Sequence, residues 1–160
     1  MQGDKDIIAI LNEQLTAELT AINQYWLHYK LQENNGWVKL AKHTRHESIE
    51  EMQHADKLAE RIIFLDGLPN FQKLCPLRIG QTVTEMFECD MKVELEAVER
   101  LRRGIRLMRD RDDVTSANLF EEILEDEEEH IDYLETQLDL LKTLGEPLYL
   151  AQLVQQPEHD

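Results

Sequence analysis

Glycine and proline are scarce in this chain, 6 and 4 residues among 160, and aromatic residues make up only 6%. So little turn chemistry excludes a sandwich or barrel of many short strands and favours a few long helices. No apolar run exceeds a few residues, far short of the roughly 20 that a membrane-spanning helix needs. The start, Met1-Gln2-Gly3-Asp4-Lys5-Asp6, has no basic stretch followed by an apolar core, so no secretory signal is expected. The only cysteines, Cys75 and Cys89, fall in different elements and form no metal-spacing pair. Reduced thiols in a cytoplasmic protein are the simplest account. Basic residues are short as well: 17 Lys and Arg face 33 Asp and Glu, for a formal net charge of −16. Like charge makes nucleic acid and anionic membrane poor partners, and cations natural ones.

What is present is helical periodicity. Residues 5–34 read as one helix, with Ile8, Leu11, Leu15, Glu18, Ile22, Tyr25 and Tyr29 at helical spacing and Asp4 as N-cap. Asn34-Asn35-Gly36 ends it. A second helix spans 37–65, placing Leu40, Glu47, Glu51, His54, Leu58, Ile62 and Leu65 on one face. Residues 66–81 hold Gly67, Pro69, Pro76 and Gly80 and read as a loop. Thr82 and Glu85 have capping-box spacing and open a third helix to about Arg111, striped by Phe87, Glu94, Val98, Leu101, Ile105 and Met108. After Asp112-Asp113 a fourth runs to Leu144, with Phe120, Ile123, Glu127, His130, Leu134, Leu138 and Leu141. Gly145 ends it, Pro147 opens a short fifth, and the tail from Gln155 is expected to fray.

Very short turns make helices one and two, and three and four, antiparallel hairpins. A helix of 30 residues is about 45 Å long. A 16-residue connection reaches about 50 Å. The loop can therefore cross the bundle lengthwise and leave helices two and three parallel.

Two Glu-x-x-His motifs stand out, Glu51–His54 and Glu127–His130, each with a lone upstream glutamate, Glu18 and Glu94. Positions 18, 51 and 54 become 94, 127 and 130 on adding 76. One such motif on so acidic a helix is ordinarily a solvated neighbour pair. Two with matched glutamates, all on core-facing stripes, are not. Four carboxylates and two imidazoles are prohibitive in a bundle if bare, and two divalent ions would balance them. The oxygen-rich set, with one nitrogen per metal, favours iron or manganese over structural zinc.

This constellation resembles that of ferritin-like di-iron bundles. The stretches Asn23-Gln24-Tyr25, His46 to Met52, His54-Ala55-Asp56, Gly67-Leu68-Pro69-Asn70 and Asp126 to His130 resemble bacterioferritin over nearly the whole chain. The resemblance implies one ferritin-like domain over residues 1–160: an all-α four-helix bundle of two antiparallel hairpins with a long crossover and a short fifth helix. It implies a homo-oligomeric shell of 24 subunits built from twofold dimers. It further implies a di-iron ferroxidase centre in each subunit, oxidising Fe²⁺ with dioxygen or hydrogen peroxide and storing ferric mineral. Glu18, Glu51, His54 and Glu127 would serve one iron, and Glu51, Glu94, Glu127 and His130 the other, with Glu51 and Glu127 bridging. Tyr25 would hydrogen-bond the centre. A rubrerythrin-type di-iron peroxidase is disfavoured by the missing Cys-x-x-Cys module. A haem electron carrier with a structural metal site is the rival from another class.

Met52 points about 100° away from the core stripe. It shares an apolar edge with Ile49 and Ala59, and Leu19, Ile22 and Trp26 form a similar edge on helix one. Periodicity alone makes Met52 an interface filler. The resemblance makes it the axial ligand, from both subunits of a dimer, to one haem b. That haem would carry electrons, with a ferredoxin-type reductant supplying them for iron release. His46 and Glu50 are an i,i+4 surface pair by spacing and an inner-surface iron site by resemblance. The family often has Asn-Trp-Gly at the first turn, so the displaced Trp37 has no assured electron-transfer role. His28, His43 and His159 read as solvated or interfacial.

Overall fold

The computed structural model describes residues 1–154 and contains five helices among them: α1 Lys5–Asn34, α2 Val38–Phe64, α3 Val83–Asp110, α4 Val114–Leu144 and α5 Glu146–Ala151. The expected tail and His159 lie outside the described residues. The caps explain the boundaries. Asp4 accepts from the Asp6 and Ile7 amides at the start of α1. Thr82 and Glu85 form both halves of a capping box on α3. Asp113 accepts from Ser116 N–H at the start of α4. Gly36 and Gly145 take positive φ, 82° and 77°, where a side chain would be strained.

Long-range pairs fix the helix directions. Arg111, just past α3, reaches Asp4 and Asp6 at the start of α1, so α1 and α3 run antiparallel. Arg61, near the end of α2, donates to Asp113 at the start of α4, so these two are antiparallel as well. With each hairpin antiparallel, α2 and α3 are parallel, as the long loop predicts. The loop itself climbs α1 on polar rungs. Asn12 binds Leu68 and Asn70, Thr20 accepts from Cys75 N–H, Gln24 from Arg78 N–H, and His28 from Gly80 N–H. Surface irregular backbone is thus held along the length of the bundle.

The core has two apolar clusters. One packs Ile7, Ile10, Leu11, Leu15, Leu58, Ile62, Leu101, Ile105, Met108, Phe120 and Ile123. The other, at the opposite end, packs Leu40, Val83, Phe87, Leu134, Leu141 and Tyr149. Tyr149 brings α5 onto the bundle, its ring edge-on to Phe87 at 6.2 Å. Between the clusters lies a buried polar layer, and the candidate site is in it.

Candidate metal centre

All six predicted ligands are buried. Each helix of the bundle contributes at mid-length: Glu18 from α1, Glu51 and His54 from α2, Glu94 from α3, Glu127 and His130 from α4. They fall into two overlapping groups, Glu18, Glu51, His54 and Glu127, and Glu51, Glu94, Glu127 and His130. Within each group one ligand atom per residue lies within 4.8 Å of all the others. The shared carboxylates face both ways. Glu51 sets Oε2 3.6 Å from His54 Nδ1 and Oε1 3.4 Å from His130 Nδ1. Glu127 sets Oε1 3.2 Å from His54 Nδ1 and Oε2 3.7 Å from His130 Nδ1. Glu18 and Glu94 flank the ends, 3.5 and 3.4 Å from His54 and His130.

Six buried atoms in this layer have no hydrogen-bond partner: Glu18 Oε2, Glu51 Oε1, His54 Nδ1, Glu94 Oε2, Glu127 Oε1 and His130 Nδ1. Orphaned buried polar atoms are rare, and six converging on one place fit a pair of cations. The remaining atoms of the outer ligands are held. His54 Nε2 meets Asp126 at 2.7 Å and His130 Nε2 meets Glu50 at 2.8 Å, which turns both Nδ1 atoms inward. Glu94 accepts from the Tyr25 hydroxyl, and Glu18 from the Gln14 amide at 2.9 Å.

Charge shapes the layer. Burial disfavours a charged His54, but the facing Glu127 and Glu51 carboxylates outweigh it and carry the imidazole up to about 11. His130 rises for the same reason, against burial, through Glu127, Glu50 and Glu51. Burial also pushes Glu51 up, yet the two imidazoles bring it down to about 2. Glu127 goes the other way, raised by burial and by the neighbouring Glu51 charge. Tyr25 is fully buried and its hydroxyl is pushed far up, so it is a neutral donor to Glu94.

The other predicted residues separate. His46 is exposed and 3.6 Å from Glu50 Oε1, while the second oxygen of Glu50 holds His130, so Glu50 links surface and centre. Met52 is 48% exposed. Ser48 donates to Ile22 O and the Arg45 guanidinium lies 5.5 Å over Trp26, so the apolar edges of α1 and α2 adjoin on one outer face. His43 is half-buried, stacked on Tyr133 and bonded to Glu47 at 2.7 Å. His28 corrects the sequence reading. It is fully buried, with Nδ1 3.0 Å from Asp90 and Nε2 accepting from Gly80. An α1 histidine facing a loop 52 residues away has no local signature. Sequence reasoning also missed Asp126, the pairing of Glu50 with His130, and Gln14. A signal existed for the first two: 50 plus 76 is 126, the offset that relates the ligands themselves.

A bundle of two antiparallel hairpins joined by a lengthwise crossover, with a buried carboxylate–histidine layer at its middle, defines a ferritin-like protein. A family model described as a ferritin-like domain matches residues 8–144. The bacterioferritin of Streptomyces coelicolor is 64% identical over 160 residues, covering 100% of this chain and 96% of its own. Bacterioferritin BfrA of Mycobacterium tuberculosis is 58% identical over 157 residues, covering 98% and 99%. A solved structure of that BfrA superposes with a TM-score of 0.96 over 97% of this chain and 98% of its own. The chain belongs to the bacterioferritin family.

Proposed function

We propose that this chain stores iron as one subunit of a hollow homo-oligomeric shell of 24, and that its buried polar layer is a ferroxidase site. The supporting observation is the convergence of six orphaned ligand atoms into two four-residue groups that share Glu51 and Glu127. Two Fe²⁺ ions are the substrate. Glu18, Glu51, His54 and Glu127 hold one, and Glu51, Glu94, Glu127 and His130 the other. Two divalent ions neutralise the four carboxylates, so that none is left to repel another once the imidazoles are neutral. Each pair of Fe²⁺ gives two electrons to hydrogen peroxide, whose O–O bond breaks and which takes up two protons to leave as water. With dioxygen, two such pairs supply the four electrons. The Tyr25 hydroxyl orients Glu94, while Asp126 and Glu50 keep both imidazoles turned inward.

Residues 1–160 act as one ferritin-like domain in the cytoplasm. The haem b that the family implies would sit on the outer α1–α2 face, where the Met52 thioether is exposed. Met52 from two subunits would hold it, and the group would supply one-electron chemistry for iron release, fed by a ferredoxin-type reductant. His46 with Glu50 is the candidate inner-surface iron site. No helix among the described residues is long and apolar enough to cross a membrane.

Glu18→Ala combined with Glu94→Ala tests the centre. It removes one carboxylate from each metal and leaves both shared ligands. Rapid Fe²⁺ oxidation followed by stopped flow should fall at least a hundredfold in a shell that still assembles. An unchanged initial rate refutes the assignment.

A further inference from the structure

The two halves of the bundle are related by the 76-residue offset, and the relation reaches one turn beyond the ligands. Gln14 sits four residues before Glu18, and its counterpart Asp90 four before Glu94. Arg100 is the counterpart of Gln24. The contacts obey the same symmetry, with Arg100 donating to Gln14 and Gln24 donating to Asp90. Each half therefore has a buried polar slot beneath its terminal glutamate, filled by a residue that a partner from the facing helix holds.

The chemistry in the slots differs. Asp90 is a carboxylate that takes its bonds from Gln24 and His28 and has no donor to offer Glu94. The hydroxyl of Tyr25 supplies that donor instead. The counterpart of Tyr25 is Leu101, which has no polar group, so Glu18 receives nothing from that position. Its donor is the Gln14 amide, buried at 1% exposure and 2.9 Å from Glu18 Oε1. Arg100 fixes which way the amide points. A guanidinium only donates, so the Gln14 oxygen must face Arg100 Nη1 at 3.2 Å and the nitrogen must face Glu18. Glu13 lies 3.5 Å from Arg100 Nε, an ion pair without hydrogen-bond geometry. With Oε1 tied, the Glu18 carboxylate cannot swing freely, and its unpartnered Oε2 stays in the layer.

We propose that Gln14, oriented by Arg100, is a positioning residue for Glu18, setting metal affinity in the Glu18/His54 half of the centre independently of the Glu94/His130 half. The inference rests on the metal-site reading given above. It makes the two iron positions unequal by construction, one buttressed by an amide and one by a phenol.

Co²⁺ titration of the metal-stripped, assembled protein, followed by visible absorption, separates the possibilities. The parent protein should take two Co²⁺ per subunit. Gln14→Met keeps the length and apolar volume but removes the donor. One Co²⁺ should then bind as before and the other about tenfold more weakly, with only part of the absorption band altered. Tyr25→Phe should alter the complementary part. Arg100→Met, at a partly exposed position, should weaken the same ion as Gln14→Met by a smaller factor, and it carries the test if Gln14→Met does not assemble. Two unchanged binding steps and an unchanged spectrum in both variants overturn the proposal, as does equal weakening of both ions. A parent protein that takes up no Co²⁺ removes the metal site itself, and the proposal with it.

Discussion

Loading the centre with metal should expel protons in a number the structure dictates. His54 Nδ1 lies within 3.2 to 3.6 Å of three carboxylates, and they hold its imidazole at about 11. His130 is raised by the same kind of surroundings. Both rings therefore carry a proton at pH 7.5, and both have Nε2 occupied by an outer carboxylate. A metal can approach only at Nδ1, which must first lose its proton, so binding two divalent ions releases about two protons per subunit. Histidines with ordinary pKa values would be about a tenth protonated at that pH and would release about 0.2 in total. The tenfold contrast makes the measurement decisive. Anaerobic Fe²⁺ addition to metal-stripped protein in weak buffer, read by an indicator dye, counts protons before any oxidation or hydrolysis adds more. Calorimetry in buffers of different ionisation enthalpy gives the same number. The yield should stay near two from pH 7 to 9. A yield below about half a proton per subunit would refute the account of the layer's charge.

Three further outcomes follow from the same structure. Raising His54 from 6.5 to about 11 adds stability that is complete below about pH 6.5 and lost as pH climbs through 11. Metal-free protein should therefore melt progressively lower between pH 7 and 10, and Mn²⁺ at pH 7, at a hundred times its Kd, should add about 2.7 kcal/mol. Met52→Leu nearly conserves volume but removes the soft sulfur, so haem absorbance should vanish while the shell and iron uptake persist; undiminished absorbance would move the ligand elsewhere. Gly104→Ala should destabilise by about 1–2 kcal/mol despite its better helix propensity, because the new methyl would overlap the Phe120 ring and press on Ile10 Cδ1 at 3.2 Å. A raised melting temperature would show that Phe120 can yield.

Much of this was legible in the residues, for reasons that can be stated. Caps and turns act locally, so Asp4, Thr82 with Glu85, and Gly145 marked helix ends directly. The buried carboxylate–histidine stripe was legible because its residues repeat at helical spacing and the halves repeat at 76. The α1 face was read less well. Ile8, Ile22 and Tyr29 lie at its margin, whereas Gln14, Gln24, His28 and Gln32 are buried. Their partners on other elements are Arg100, Asp90, Gly80 and Met86, at least 52 residues away. A buried polar side chain looks like a surface one until its partner is known, and periodicity within one helix cannot supply the partner.

That same face explains how the bundle tolerates its middle. A bare buried charge costs several kcal/mol, and breaking one partner of a buried pair typically costs about 3–5 kcal/mol. Here the charges are confined to one layer, with large apolar clusters on both sides to hold the helices together. Within the layer, every ligand that belongs to a single metal position has one atom tied to a fixed group. Gln14 holds Glu18, Tyr25 holds Glu94, Asp126 holds His54 and Glu50 holds His130. The two ligands shared between positions, Glu51 and Glu127, have no such tie beyond the imidazoles that face them. Tied end residues and untied bridging residues would suit the proposed oxidation of Fe²⁺ to Fe³⁺, because two carboxylates could absorb a change of ionic size without moving a helix. Replacing either bridging glutamate should therefore be more damaging to turnover than replacing Glu50 or Asp126, whose loss loosens one ring at a time.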